Sequence, residues 1–322
     1  MVQPVNPGAL TTGLRSGTRM HERDDADTRT VPVGYVGGGE PARRFQLAAA
    51  DLGIELVVLT PNPPQQPGAA VDTSSPFDAD MLGELIARSA VITLGHGCDH
   101  HTYSALLEAA GATLRPNRST IRVAHDPLAA RYVLQDCVFD FAEFEEIDSG
   151  DTEAVARFAL HHGWPLRLRA ARWGATGPAV HLLRPYSVLD EVWADRIGQL
   201  WLLEACQPLA PQLAVVIARR PSGHHLVCSL TATIEQDCRP RRTLPIAASI
   251  EERAIATATS IVDGLDATGV VTVKFLHSSD GRLLVDDITY GPQPHPMTDG
   301  PTDHRLYAAH LRAILDWPGD PT

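Results

Sequence analysis

Lysine is almost missing from this sequence. Of 27 basic residues only Lys274 is a lysine and the rest are arginines, so chemistry that needs two lysines is excluded. Cysteine is sparse as well. The five cysteines lie far apart with no Cys-x-x-Cys pair, which excludes a disulfide framework and reads as reduced thiols in a cytoplasmic protein. No apolar run approaches the ~20 residues of a membrane span, and no basic-then-apolar leader opens the chain. Positive charge is in deficit: the formal net charge of −12 argues against a dedicated nucleic-acid binder. Residues 1–30 lack any apolar period and read as a mobile tail without packed contacts.

What is present suffices for a core. Hydrophobic residues make up 44% and charged residues 20% of 322 positions, enough for two domains. Val31 to Val36 reads as a β-branched strand ending in Gly37-Gly38-Gly39. Pro41 to Leu52 then reads as a helix closed by Gly53, and Ile54 to Leu59 as a second strand. Leu82 to Arg88 reads as a helix, Ala90 to Leu94 as a strand and Tyr103 to Ala110 as a helix. This alternation implies a parallel sheet flanked by helices over 31–115. From 116 to 322 the order becomes α+β. Helices are expected at Pro127–Leu134, Glu153–His162, Ile250–Leu265 and Tyr307–Leu315. Strands are expected at Pro165–Ala171, Ala179–Leu183, Leu200–Glu204, Leu213–Arg219, His224–Leu230, Val270–Leu276 and Leu283–Ile288.

Four motifs carry chemistry or a structural alternative to it. Gly37, Gly38 and Gly39 precede a helix N-terminus, where amides and the helix dipole suit a phosphate and Arg43 adds charge; a tight strand-to-helix turn reads equally. The cluster from Gly95 through His96 and Cys98 to His101 follows a strand end, where ligands of α/β sheets bind. Its residue types can ligate zinc, yet its spacing matches no zinc signature and a polar loop reads as well. His161-His162 and His224-His225 read as structural, at a helix end and beside a turn. Asp286-Asp287 closes a strand and can hold Mg²⁺ between phosphates. Strand alternation puts only one of the two on a given face, and a solvated turn is the alternative.

Taken in order, several segments resemble the ATP-grasp superfamily, and within it the carboxyaminoimidazole ribonucleotide synthetases, bicarbonate-using ligases of purine biosynthesis. They are Gly34 to Arg43 with Leu52 to Leu59, Trp164 to Arg169 with Gly174 to Gly177, Leu202 to Glu204 with Val215 to Arg219, Gly281 to Asp287 with Pro292 to His295, and His310 to Ile314 with Trp317 to Gly319. The resemblance implies an ATP-grasp architecture of mixed α/β and α+β class. A Rossmann-like parallel-sheet domain (31–115) would precede an ATP-grasp domain of two subdomains around a cleft (116–322). It further implies ATP with Mg²⁺, a small-molecule substrate, no nucleic acid or membrane partner, and compatibility with a homodimer. By position it assigns Glu204 to the adenine, Gln212 to the ribose, Arg169, Arg131 and Lys274 to the phosphates, and Asp286 or Asp287 to the metal. Catalysis would fall to Lys274, Asp287 and Arg169, and Gly37, Gly38, Gly39, Arg43, His96 and His295 would line the substrate side.

The departures from the family pattern bear on chemistry. Lys274 stands where a metal-binding glutamate is expected, Arg169 where the glycine-loop lysine is, and Gly95 and Gly97 where substrate-side glutamates are. The chain therefore reads either as a diverged ligase joining a carboxylate or bicarbonate to an amine through an acyl phosphate in specialised metabolism, or as a catalytically impaired relative that binds a nucleotide, metabolite or partner.

Overall fold

A computed structural model describes residues 31–60, 79–95, 98–137, 139–171, 180–185, 187, 192–193, 199–206, 211–236, 239–243, 245–292 and 302–318. The expected tail, His96, Gly97, the 174–177 loop and His295 lie outside these residues. Val31–Thr322 forms one compact unit.

The N-terminal part is a parallel sheet in the order β2-β1-β3, from Val33–Val36 (β1), Leu56–Leu59 (β2) and Val91–Leu94 (β3). β1 and β3 are buried at every residue, as strands covered on both faces must be. Helix α1 (Gly39–Leu52) buries Ala42, Phe45, Ala48 and Ala49 and ends at Gly53, whose φ of 67° is a left-handed cap open to glycine at little cost. Helices α2 (Ala79–Arg88) and α3 (His100–Ala109) complete this layer, with Asp99 capping α3 by accepting from the His101 and Thr102 amides.

Helices α4 (Arg118–His125) and α5 (Pro127–Asp136) follow, capped by Asn117 and by Asp126 with Pro127 in the first turn. A four-stranded antiparallel sheet, β4-β7-β5-β6, is built from Phe144–Asp148 (β4), Leu166–Ala170 (β5), Val180–Leu183 (β6) and Leu200–Ala205 (β7). Helix α6 (Thr152–His162) packs Val155 and Phe158 with Trp201 and Leu203 on one face of it. A five-stranded sheet runs β10-β9-β8-β11-β12, from Pro211–Arg219 (β8), His225–Gln236 (β9), Arg239–Thr243 (β10), Gly269–His277 (β11) and Leu283–Tyr290 (β12). Helix α7 (Ala248–Gly264) covers it, and helix α8 (Thr302–Ile314) returns to pack Tyr307, Leu311 and Ile314 against Phe45 of α1. Topology changes near residue 116, but the core does not break there: one cluster holds Leu94, Leu107 and Ile121 together with Val215, Val273 and Ile288.

His310 of α8 ties the parallel sheet to the five-stranded one. It is fully buried; its Nδ1 accepts from the Val270 amide at 3.1 Å, so the ring proton sits on Nε2, which donates to Thr93 Oγ1 at 3.0 Å. Gly269, at φ 92°, passes so close that a Cβ there would stand 2.6 Å from the imidazole. Burial pushes the His310 pKa down from 6.5 to about 3. Between those values the unfolded chain binds a proton that the folded one does not, so acidification favours unfolding. From pH 6.5 to 5 the loss is about 2 kcal/mol. Thermal melts over that range should show a steeper fall in Tm for the wild type than for His310→Asn, which starts less stable at pH 7. Equal slopes would count against this role.

Candidate active site

The chemistry-bearing residues from distant segments meet between the two antiparallel sheets. Glu204, on β7, is fully buried, and three guanidiniums surround it. Arg131 of α5 donates through Nε at 3.0 Å and also through NH2. Arg167 of β5, the direct cross-strand partner of Glu204, donates through Nε at 2.9 Å. Arg169, two residues on and hence on the same face, reaches it at 2.9 Å and 3.1 Å. The arginines also grip β12. Arg131 donates to the Val285 and Asp286 carbonyls at 3.1 and 2.9 Å, Arg169 donates to the Asp286 carbonyl at 3.0 Å, and Arg167 pairs with the Asp286 carboxylate.

Asp286 and Asp287 both face this cluster, which corrects the expectation from strand alternation. Lys274 pairs with Asp287 but Phe275 pairs with Val285, so Asp286 is an extra residue in a β-bulge. A bulge lets two neighbours point the same way. Asp286 thus meets Arg167, while Asp287 lies 3.8 Å from Arg169 and 3.6 Å from the Lys274 ammonium. Lys274 itself stands between the buried Val273 and Phe275 with its side chain 39% exposed, so its ammonium reaches the rim. Gln212 lies on β8 two positions from Ala214, the cross-strand partner of Lys274, and so on the same face as Lys274.

Electrostatics holds Glu204, Asp286 and Arg167 charged. Burial alone would raise the Glu204 carboxyl, but attraction by Arg167, Arg169 and Arg131 and the Arg131 hydrogen bond outweigh it and keep its pKa far below the usual range. Burial likewise opposes ionisation of Asp286, and Arg167 and Arg169 overcome it. For Arg167 burial lowers the pKa, while Asp286 and Glu204 raise it well above the ordinary value. Leaving one member of such a buried set unpaired costs about 3–5 kcal/mol.

These residues do not fit a divalent cation. Each carboxylate at the expected metal position already faces a cation, and the ammonium of Lys274 lies 3.6 Å from Asp287. At ~4 Å and an effective dielectric of ~20, each unit of like charge costs roughly 4 kcal/mol. Mg²⁺ also demands oxygen ligands in near-octahedral array. Among the described residues no group of three or more His, Cys, Asp or Glu side chains is placed to hold a metal, and of the histidine-rich cluster Asp99 serves as a helix cap.

The glycine turn at the other end is occupied by the chain itself. The Gly37 amide donates to the Leu59 carbonyl at 2.9 Å, α1 has no side-chain cap, and Arg43 is exposed. The Tyr35 ring, fully buried on β1, fills the space between Gly37 and Gly95; its hydroxyl has no hydrogen-bond partner among the described residues. A Cβ at Gly95 would stand 1.8 Å from that hydroxyl. Beside it the His100 and His125 rings stack at 3.7 Å, and the Tyr290 hydroxyl lies 2.6 Å from His100 Nδ1, leaving a cavity of about 10 Å³. Burial raises the Cys98 thiol to about 12, so it stays protonated.

Sequence reasoning found Arg131, Arg169, Glu204, Lys274, Asp286 and Asp287, and the structure brings these together. It missed Arg167, although the alternation Leu166-Arg167-Leu168-Arg169 places both arginines on one face. It also missed Tyr35. Gly95→Ala should destabilise the fold by about 2–3 kcal/mol through overpacking against Tyr35. Combined with Tyr35→Leu, the loss in denaturant midpoint should be less than additive; strict additivity would show that the two do not share that space.

Comparison with known proteins shows the family and the fold. Residues 132–297 match the model of the ATP-grasp domain. The N5-carboxyaminoimidazole ribonucleotide synthase of Mycobacterium tuberculosis is 29% identical over 304 residues, covering 89% of this chain and 68% of that protein. The Synechococcus elongatus enzyme of the same name is 28% identical over 301 residues, covering 89% and 73%. A solved N5-carboxyaminoimidazole ribonucleotide synthetase in complex with ADP superposes with a TM-score of 0.72 at 20% identity, over 90% of this chain and 78% of that one. The Aspergillus clavatus synthase, solved with ADP and 5-aminoimidazole ribonucleotide, gives 0.71 at 19%, over 90% and 77%. With the domain matched across the segment that carries all seven residues of the ion cluster except Arg131, one position outside it, the chain belongs to the ATP-grasp family.

Proposed function

We propose that the chain is an ATP-grasp protein that binds a nucleotide or a similar anionic metabolite without a divalent metal, and that it is impaired as a carboxylate–amine ligase. The observation that carries this reading is the Lys274–Asp287 ion pair at the position where the family resemblance puts a metal. An ammonium there supplies +1 in place of a −1 ligand. It can hold an oxyanion directly, as the guanidiniums of Arg169 and Arg167 can. It cannot share that space with Mg²⁺.

A second reading is favoured by the length of the likeness, 29% identity to synthases across 89% of the chain. In it the protein is a diverged ligase of specialised metabolism that joins a carboxylate or bicarbonate to an amine through an acyl phosphate. Arg169, Arg131 and Lys274 would hold phosphates, Glu204 the adenine and Gln212 the ribose, with His96 and His295 on the substrate side. Under either reading, carboxylation of aminoimidazole ribonucleotide is absent, because Gly95 carries no side chain and Tyr35 fills its place. Introduced into a bacterium lacking its purine carboxylating ligase, the gene should give no growth without added purine; growth would overturn that statement.

Isothermal titration with ATP separates the readings. The metal-free reading expects the same ATP affinity in EDTA and in Mg²⁺. Binding that appears only with Mg²⁺ supports the ligase instead. Lys274→Glu provides a control: by placing like charges beside Asp287 it should lower Tm, whereas in a ligase it should strengthen Mg²⁺-dependent binding.

A further inference from the structure

Glu204 is placed like a ligand rather than like a residue that awaits one. Its two oxygens receive hydrogen bonds or ion pairs from three guanidiniums, and its side chain is fully buried. Guanidinium forks of this kind accept a carboxylate and a phosphate oxygen alike. The cluster counts four cations (Arg131, Arg167, Arg169 and Lys274) against three anions (Glu204, Asp286 and Asp287), a surplus of one positive charge. An incoming polyphosphate would have to displace carboxylates already seated at hydrogen-bonding distance.

We propose that Glu204 is an internal plug: its carboxylate occupies the Arg131–Arg167–Arg169 basket in place of a polyphosphate oxyanion, with Asp286 as the second occupant. The plug makes the resting cleft self-satisfied, and a polyphosphate-bearing ligand binds only by competing with it. This inference rests on the metal-free reading given above. It follows from the geometry of β5 and β7. Arg167 and Glu204 are direct cross-strand partners, so the carboxylate lies beside its cation whenever the sheet forms. Asp286 reaches the same cation through the bulge in β12, and its carboxylate meets one guanidinium where that of Glu204 meets three.

The test uses the full chain and inorganic tripolyphosphate in EDTA, followed by calorimetry and by thermal shift. Glu204→Gln keeps the shape of the plug and removes its charge, which raises the surplus from one positive charge to two. It should melt at a lower temperature than the wild type, bind tripolyphosphate at least about tenfold more tightly, and recover more of its Tm on ligand addition. Asp286→Asn, which releases the Arg167 fork alone, should show the same gain in affinity with a smaller loss of Tm. Should Glu204→Gln fail to fold, Asp286→Asn decides alone. Equal metal-free affinity in the wild type and the folded variants overturns the plug and leaves the metal-free reading standing. Wild-type binding of ATP that depends on Mg²⁺ overturns that reading itself.

Discussion

One carboxylate inside three guanidiniums holds the two antiparallel sheets together. Glu204 comes from the four-stranded sheet, and the arginines that bind it also bind the backbone of β12 in the five-stranded one. A buried ion set of this size is not a cheap source of stability, because each charge has left water. It is instead a demanding fastener. If any member is lost, the remaining charges stand buried and unpaired, so the spacing between the sheets is fixed by electrostatics as much as by apolar packing. The apolar residues of the four-stranded sheet, Trp201 and Leu203 among them, form a cluster of their own beside the one that runs from Leu94 to Ile288, and the ion set bridges the two sheets.

Two places in the structure are filled by the chain's own side chains. A Cβ at Gly95 would stand 1.8 Å from the Tyr35 hydroxyl, so that ring takes the space a side chain would need. At the second, Lys274 stands beside Asp287, and Arg167 beside Asp286. The charged groups of the cluster stand in ion pairs, while the Tyr35 hydroxyl has no hydrogen-bond partner among the described residues.

Much of the fold was legible in the sequence because it is written in local periods. The β1–α1–β2 unit, the β5–β6 and β11–β12 hairpins and helices α6, α7 and α8 follow from apolar spacing and turn residues. The misses have physical causes. β4 reads Phe-Glu-Glu-Ile-Asp and has little strand character of its own; pairing with β7 makes it a strand. α4 is only eight residues long, too short for its apolar period to stand out, although Asn117 caps it and Ile121, Val123 and Ala124 share its buried side. The bulge at Asp286 depends on register against β11, which nothing in Val285-Asp286-Asp287 announces. The site was legible as a set of residues through the family resemblance, not as a geometry. The order of segments could suggest that Arg131, Glu204 and Asp286 share a cleft, but not that they neutralise one another.

The near absence of lysine has its sharpest consequence in that cluster. A lysine in place of Arg131 would keep the charge but lose the fork. Arg131 uses its planar head to hold Glu204 through two nitrogens while a third reaches the Val285 carbonyl. Arg169 likewise divides its head between Glu204 and the Asp286 carbonyl. An ammonium donates from a single nitrogen and is strongly hydrated, so it suits the rim better than the interior. The distribution follows that rule: Arg131 and Arg169 are buried, and the lone lysine sits at the half-open edge beside Asp287. A basket of forks closed by its own carboxylates, with a single ammonium at its mouth, has the charge and geometry of an oxyanion site and lacks those of a magnesium site.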